Sequence, residues 1–474
     1  MSTITLTMKF RVRLLIGLLG LALATGCAHN QTLNKPASVP DNVQGNAHTT
    51  PQFRSSGVQN SEELLVVLTF SGGGTRAATL AYGVLQELRG AVIHHGGKTR
   101  RLIEEIDLIS GVSGGSFTAA YYGLFGDQLF DEFETRFLTR DFQGELINRL
   151  FYPINWAQLI SPYYDRSDLA ADYFDRHLFH GATLANLYDN GPGPDVLINA
   201  TDLSRGESFG FTPEELASIC SDPASFSIAR AVAPSAAVPL VASSITLRNF
   251  ADRCNPASDN PYAGSTRRPY IHLLDGGLTD NLGLRSAMKA IRLKRGGKPG
   301  PALAKARKLI FIVVNAETRP DPVIDKQRRS PNLGIMMKSA SDVPVNRYNQ
   351  ETLHLLQSRM RTWKRDALKT FCPKNPEQHC SDIDSYLIQV NFGSIANHNI
   401  RQQLFRLPTT LGLQENTVKG LKNTAIRLML DSPDYTRLLK DIDGVSGHPD
   451  ALTVNDSVQP LLDETPQQDD SPDP

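Results

Sequence analysis

The sequence predicts a layered α/β fold, and three observations predict it. Short runs rich in Val, Ile, Leu and Phe alternate with stretches of helical periodicity between about residues 61 and 435. Glycine-rich segments sit where such a run gives way to a helical stretch. The length of 474 residues can bury a sizeable core without a disulfide staple or structural metal.

Leu64–Phe70 (LLVVLTF) reads as a buried strand, an apolar run too short for a helix. Ala77–Leu88 follows as a helix, with Leu80, Val84 and Leu88 at helical spacing. Ile106–Ser110 is the next strand and Ser116–Leu124 the next helix. Asp195–Ala200, Ile271–Leu274 and Leu309–Val314 are further apolar runs of strand length. Over Tyr348–Thr370, Leu353, Leu356, Met360, Trp363 and Ala367 fall at spacings of three and four beside Arg359, Arg361, Lys364, Arg365 and Lys369. That predicts an amphipathic helix packed on the core, with a basic helix at a lipid interface as the other reading. Segments Phe250–Tyr270 and Thr318–Arg347 are Pro- and Arg-rich and read as loops long enough to be lids. No internal repeat is present.

The formal charge is zero, 49 Lys and Arg against 49 Asp and Glu, which leaves no basic footprint for nucleic acid. That zero sums unlike pieces. Residues 1–26 carry Lys9, Arg11 and Arg13, no acid, and then the apolar run Leu14–Ala24. This is the pattern of a secretory signal peptide, too short to span a membrane. Residues 27–60 are rich in Asn, Gln, Ser, Pro and Thr and read as a flexible tether with an r.m.s. span of about 30 Å. Residues 436–474 read as an acidic disordered tail, with nine acids and no Lys or Arg over 441–474. The body between the two ends (27–440) has 46 basic and 40 acidic residues, a net of +6 that suits an anionic membrane surface.

Leu23-Ala24-Thr25-Gly26-Cys27 resembles the lipobox of bacterial lipoproteins, with Leu one place earlier than usual. The resemblance implies acylation of Cys27 as the new N-terminus and a lipid anchor in the bacterial cell envelope. Ala28, where inner-membrane retention usually requires Asp, implies the outer membrane rather than the inner. In an exported chain disulfides can form, and Cys220–Cys254 and Cys372–Cys380 are the expected pairs. No CxxC, calcium-loop or other metal-ligand spacing is present, so neither a metal nor a cofactor is expected.

Three motifs carry chemistry. Ser71-Gly72-Gly73-Gly74-Thr75-Arg76 lies between a strand and a helix, where successive glycines can aim several N–H groups at a phosphate or an oxyanion. It lacks the spacing of a P-loop or a dinucleotide site. Gly111-Val112-Ser113-Gly114-Gly115 fits G-x-S-x-G in the strand-to-helix context of a nucleophile elbow. Asp275-Gly276-Gly277 follows an apolar run and places a carboxylate on a turn, where it could take the serine proton.

Together, in this order, the motifs resemble the patatin-like phospholipase family over roughly residues 64–290. Asn199–Leu203, Ala231–Pro239 and Asp275–Gly283 are also family-like, while Ala77 stands where glycine usually follows the basic residue. The resemblance implies a three-layer fold, a central mostly parallel sheet flanked by helices, over residues 61–435, with a motif-bearing part (64–290) and a helical, lid-bearing part (291–435). It implies Ser113 as nucleophile, Asp275 as proton acceptor, and Gly72, Gly73 and Gly74 as oxyanion donors. Arg76 would order their loop or neutralise a substrate phosphate. The expected activity is hydrolysis of acyl esters of phospholipids or lysophospholipids through an acyl-enzyme, with membrane lipid as the partner. The same residues would serve acyl transfer or a neutral-lipid esterase. A Ser-His-Asp triad using His354, His379 or His398 and a non-catalytic lipid-binding envelope protein are the competing readings.

Overall fold

One sheet organises the chain. In the computed structural model its strands are β1 (Leu64–Phe70), β4 (Ile106–Val112), β5 (Asp195–Asp202), β6 (Glu207–Gly210), β7 (Ile245–Arg248), β8 (Tyr270–Asp275), β9 (Lys308–Asn315) and β10 (Asp384–Asn391), while β2 (Val92–His95), β3 (Lys98–Arg101) and β11 (Gly444–Val445) form a small second sheet. The structure describes residues 34–38, 60–159, 164–190, 193–233, 244–254, 260–293, 300–319, 328, 330–372, 380, 382–451, 453–456 and 458. The strand order is β10-β9-β1-β4-β5-β8-β7, with β6 on β5. The pairs from β10 to β5 are parallel; β6, β7 and β8 join antiparallel.

The central strands β1 and β9 are buried along their whole length and almost wholly apolar because both of their faces are covered. In β1, Leu64, Val66, Leu68 and Phe70 face one core, Leu65 and Val67 the other; in β9, Ile310, Ile312 and Val314 alternate with Leu309, Phe311 and Val313 in the same way. The first core is closed by α1 (Gly74–Gly90), α2 (Gly114–Phe125) and α6 (Glu415–Leu430). The second is closed by α4 (Leu284–Ala290) and α5 (Leu333–Phe371), with the short α3 (Gly277–Asp280) beside them. This is the layered α/β fold that the sequence pattern predicts, in the three-layer, mostly parallel form that the family resemblance implies.

Four expectations need correction. The tether is not free along its length: Asn34 is buried, its Oδ1 accepts from Arg248 N (2.7 Å), and its Nδ2 donates to Ser221 Oγ (2.9 Å) and Arg248 O (3.0 Å). Ala37 N donates to Cys220 O and Lys35 O accepts from Asp222 N, both at 2.9 Å, so residues 34–38 form a strap on the body. The body also outlasts residue 435. Val445 pairs with Val92, Gly447 N and His448 Nδ1 bond the buried Glu87, and Val458 is buried. Segment Thr318–Arg347 is not a loop throughout, because α5 begins at Leu333, capped by Asn332 Oδ1 on Ile335 N (2.9 Å), and runs through Pro344. Phe250–Tyr270 is pinned rather than lid-like where it is described: Tyr262 is buried, Asn260 donates to Ser218 O, and Arg268 pairs with the buried Asp202.

The later part of α5 packs as its spacing predicts, with Leu356, Met360, Trp363 and Ala367 buried in the second core, so Trp363 does not face a lipid interface. Cys220–Cys254 and Cys372–Cys380 are bonded, with Cα separations of 5.6 and 6.4 Å. The signal segment, Cys27, His379 and residues 234–239 lie outside the described residues. Among the described residues no helix is long and apolar enough to cross a membrane, and no cluster of His, Cys, Asp and Glu has the makings of a metal site.

Candidate active site

β1 and β4 are adjacent parallel strands, with Phe70 opposite Gly111. The loops that leave their carboxyl ends therefore emerge side by side, each running straight into a helix, α1 and α2. Ser113 sits between β4 and α2 at φ 51°, ψ −129°, a conformation a non-glycine residue adopts only when the surrounding turn imposes it. Its carbonyl accepts from Ser116 N (2.9 Å) and the residue is buried. The next residue must be glycine because the two loops touch: a Cβ on Gly114 would lie 1.9 Å from Gly74 O.

The glycine loop is shaped by φ values of 140° at Gly73 and 60° at Gly74. Three elements clamp it. Ser71 N donates to Val314 O and Ser71 Oγ accepts from Ala316 N at the end of β9; Gly72 N donates to Asn281 O (3.1 Å); Thr75 N donates to Thr410 O (2.8 Å). One expected donor is thereby removed: the Gly72 N–H is already spent on Asn281. No acceptor engages the N–H of Gly73, Gly74 or Gly114 among the described residues. Gly114 is not one of the donors expected from the sequence, although a G-x-S-x-G elbow points to the residue after its serine.

Arg76 lies buried beneath this loop. Its Nε donates to Ala316 O (3.1 Å), Nη1 to Leu407 O, and Nη2 to Thr409 Oγ1 (3.2 Å). Burial lowers its pKa to about 10, offset in part by Asp342. Its donors are turned into the protein, so it orders the loop and does not present a charge to a substrate phosphate.

Asp275 ends β8, opposite Ala200 of β5. Its Oδ1 accepts from Gly277 N (2.7 Å), and its carboxyl also takes a hydrogen bond from the Ser113 side chain. Burial pushes its pKa up to about 6, against the lowering effect of those two donors. Asn199, from the family-like block on β5, donates to Ser110 Oγ and Gly111 O (both 2.9 Å) and so locks the approach to the elbow. Asn281, inside the family-like block Asp275–Gly283 but given no role from the sequence, places its Oδ1 close to where a Cβ on Gly72 (2.6 Å) or Gly277 (3.0 Å) would fall, between the two loops. A serine hydroxyl, a buried carboxyl of raised proton affinity and three unspent N–H groups thus meet at the carboxyl end of the sheet. No histidine joins them among the described residues: His354 is exposed on α5 and His398 is exposed beside Arg401.

The patatin-like phospholipase family model matches residues 68–288, which contain all three motifs. The chain carries a patatin-like phospholipase domain. No curated protein matches the sequence. Among solved structures, human GIVD cytosolic phospholipase A2 in complex with methyl gamma-linolenyl fluorophosphonate aligns at a TM-score of 0.37 and 12% identity over 81% of this chain and 60% of that one. A second structure of that human protein aligns at 0.35 and 15% over 57% and 51%, and VipD from Legionella pneumophila at 0.29 and 13% over 81% and 68%. The chain spans about half to three fifths of the length of those human phospholipase chains. In the patatin-like domain the matched span ends at residue 288, while three of the residues that hold its glycine loop, Ala316, Leu407 and Thr410, lie beyond it.

Proposed function

We propose that the protein is a serine lipid acyl hydrolase that cleaves acyl esters of phospholipids or lysophospholipids through an acyl-enzyme on Ser113. The observation that carries this reading is the hydrogen bond from the Ser113 side chain to the Asp275 carboxyl beside unspent N–H groups. Ser113 Oγ attacks the ester carbonyl while Asp275 takes its proton, and the N–H groups of Gly73, Gly74 and Gly114 receive the oxyanion. Collapse expels the alcohol with the proton held by Asp275. Water then gives a proton to Asp275 and attacks the acyl-serine, releasing the fatty acid and restoring Ser113. No metal or third residue is required by these steps.

The test is a fluorophosphonate probe with mass spectrometry of lipids incubated with wild type and Ser113→Ala. Probe mass on the Ser113 peptide, and free fatty acid formed by wild type but not by the variant, are the expected results. A folded wild type that neither labels nor releases fatty acid refutes the reading. Acylation of Cys27 and a place in the outer membrane belong to the same proposal, checked by loss of incorporated palmitate in Cys27→Ala.

A further inference from the structure

The sheet ends in a helical overhang. α5 is 39 residues long, about 58 Å at 1.5 Å per residue. Its lower part is level with the start of β9, since Lys364 Nζ bonds Asp384 Oδ1 (2.6 Å) and Asp384 pairs with Lys308. Asn346 is level with the end of that strand, its Nδ2 donating to Thr318 O (2.8 Å). Residues 333–345 therefore run on past the carboxyl end of the sheet for about 20 Å. Asp342, within electrostatic reach of Arg76, shows that this arm passes the glycine loop.

The outward side of the arm is apolar. Leu333, Met336, Ala340 and Val343 recur at spacings of three, four and three on one helical face, and all four are exposed, Leu333 at 71%. A helix end on a water-facing surface carries polar residues there. The same end of the sheet exposes Leu203, Tyr270 and Leu278, each about half open to solvent. Residues 328–350 hold four Lys or Arg against one acid, and that acid, Asp342, lies within electrostatic reach of Arg76. The N-terminal strap leaves from this end too, because Asn34 is bonded to Arg248, whose partner Tyr270 lies beyond Asp202 of β5.

We infer that the arm Leu333–Tyr348 is a docking element for an anionic phospholipid bilayer, seating its apolar stripe among the acyl chains so that the Ser113 end of the sheet faces the lipid. The inference rests on the proposed lipid hydrolysis for its purpose, and on the arm alone for its geometry. Charge complementarity and the departure of the strap from the same end select a membrane over a second copy of the chain.

The test uses the full chain in a Trp156→Phe background, whose remaining emission, from the buried Trp363, is subtracted as the baseline, with vesicles of phosphatidylethanolamine and phosphatidylglycerol containing brominated acyl chains. Trp fluorescence from Met336→Trp is expected to be quenched at least twofold, and that from Val92→Trp, at the far end of α1, to be unchanged. Separately, Leu333→Ser/Met336→Ser/Val343→Ser is expected to lower the ratio of vesicle to monomeric-ester hydrolysis at least tenfold. Unquenched Met336→Trp, an unaltered ratio, or a wild-type dimer by light scattering that the triple variant dissociates would overturn the inference. Quenching in a protein that hydrolyses nothing would leave the docking in place and remove the hydrolase reading.

Discussion

Replacing Asp275 by Asn should abolish ester cleavage and at the same time make the protein more stable at neutral pH. The carboxyl is held at a pKa of about 6 rather than 3.8, chiefly by burial. A raised carboxylate pKa means that ionisation opposes folding: the penalty is fully present above about pH 6 and is relieved as pH falls through the native value toward the unfolded one. The rise from 3.8 to about 6 corresponds to about 3 kcal/mol at pH 7.5, and the linkage relation leaves about 1 kcal/mol at pH 4.5. Asparagine keeps an oxygen for Gly277 N and an amide for the Ser113 hydroxyl, so the turn survives. Urea unfolding of wild type and Asp275→Asn with disulfides intact, at both pH values, measures the difference directly; other titrating groups cancel. The variant should gain about 3 kcal/mol at pH 7.5 and only about a third of that at pH 4.5. A gain independent of pH, or a variant less stable throughout, would show that Asp275 carries no destabilised charge and remove the basis for treating it as the proton acceptor. The same raised pKa predicts that wild-type hydrolysis falls about tenfold per pH unit below pH 6.

Arg76→Lys keeps the charge but gives up the fork that reaches Ala316, Leu407 and Thr409; kcat should fall about 10- to 100-fold, equally for a phospholipid and an uncharged ester, and a loss confined to the phospholipid would return Arg76 to the role of a phosphate ligand. Asn34→Ala should release the strap at a cost of about 1–3 kcal/mol locally, read as lost hydrogen-exchange protection at residues 34–38 with monomeric-ester hydrolysis unchanged; retained protection would mean the backbone bonds to Cys220 and Asp222 suffice.

The parts of the fold legible in the sequence are those whose signal is local. β1 and β9 read as strands because burial on both faces removes every polar residue but Thr69 and the flanking Lys308 and Asn315 from them. The elbow and the D-G-G turn are legible because backbone sterics demand glycine at particular steps. The strap is not, since its bonds join residues 187 and 214 positions apart and no periodicity announces them. Gly444–Val445 likewise becomes a strand only by pairing with Val92 and Ile93. The arm of α5 hides for a different reason: Pro344 and the surrounding arginines suggest a loop, although the cap at Asn332 and the spacing of Leu333, Met336 and Val343 are local signals of a helix. Proline and cap point opposite ways there, and tertiary support for the helix through Asn346 tips the balance toward the cap.

The patatin-like match and the working site do not have the same boundaries, and this has a physical consequence. Ser113, proposed as the nucleophile, the Asp275 carboxylate and the glycine loop all fall within residues 68–288. Yet the loop's three-residue backbone excursion, with two positive φ values, is held by the Thr75 bond to Thr410 and by the Arg76 bonds to Ala316 and Leu407. Each net hydrogen bond of this kind contributes about 1 kcal/mol, and those from the guanidinium more. A backbone in the left-handed region at two successive glycines has little intrinsic preference for that shape. Without residues 316 and 407–410 the proposed oxyanion donors would therefore sample many orientations, and the preorganisation that the proposed mechanism draws on would be lost while every motif remained. On the proposed mechanism the C-terminal third therefore serves catalysis by holding the glycine loop, although it contributes no reacting atom.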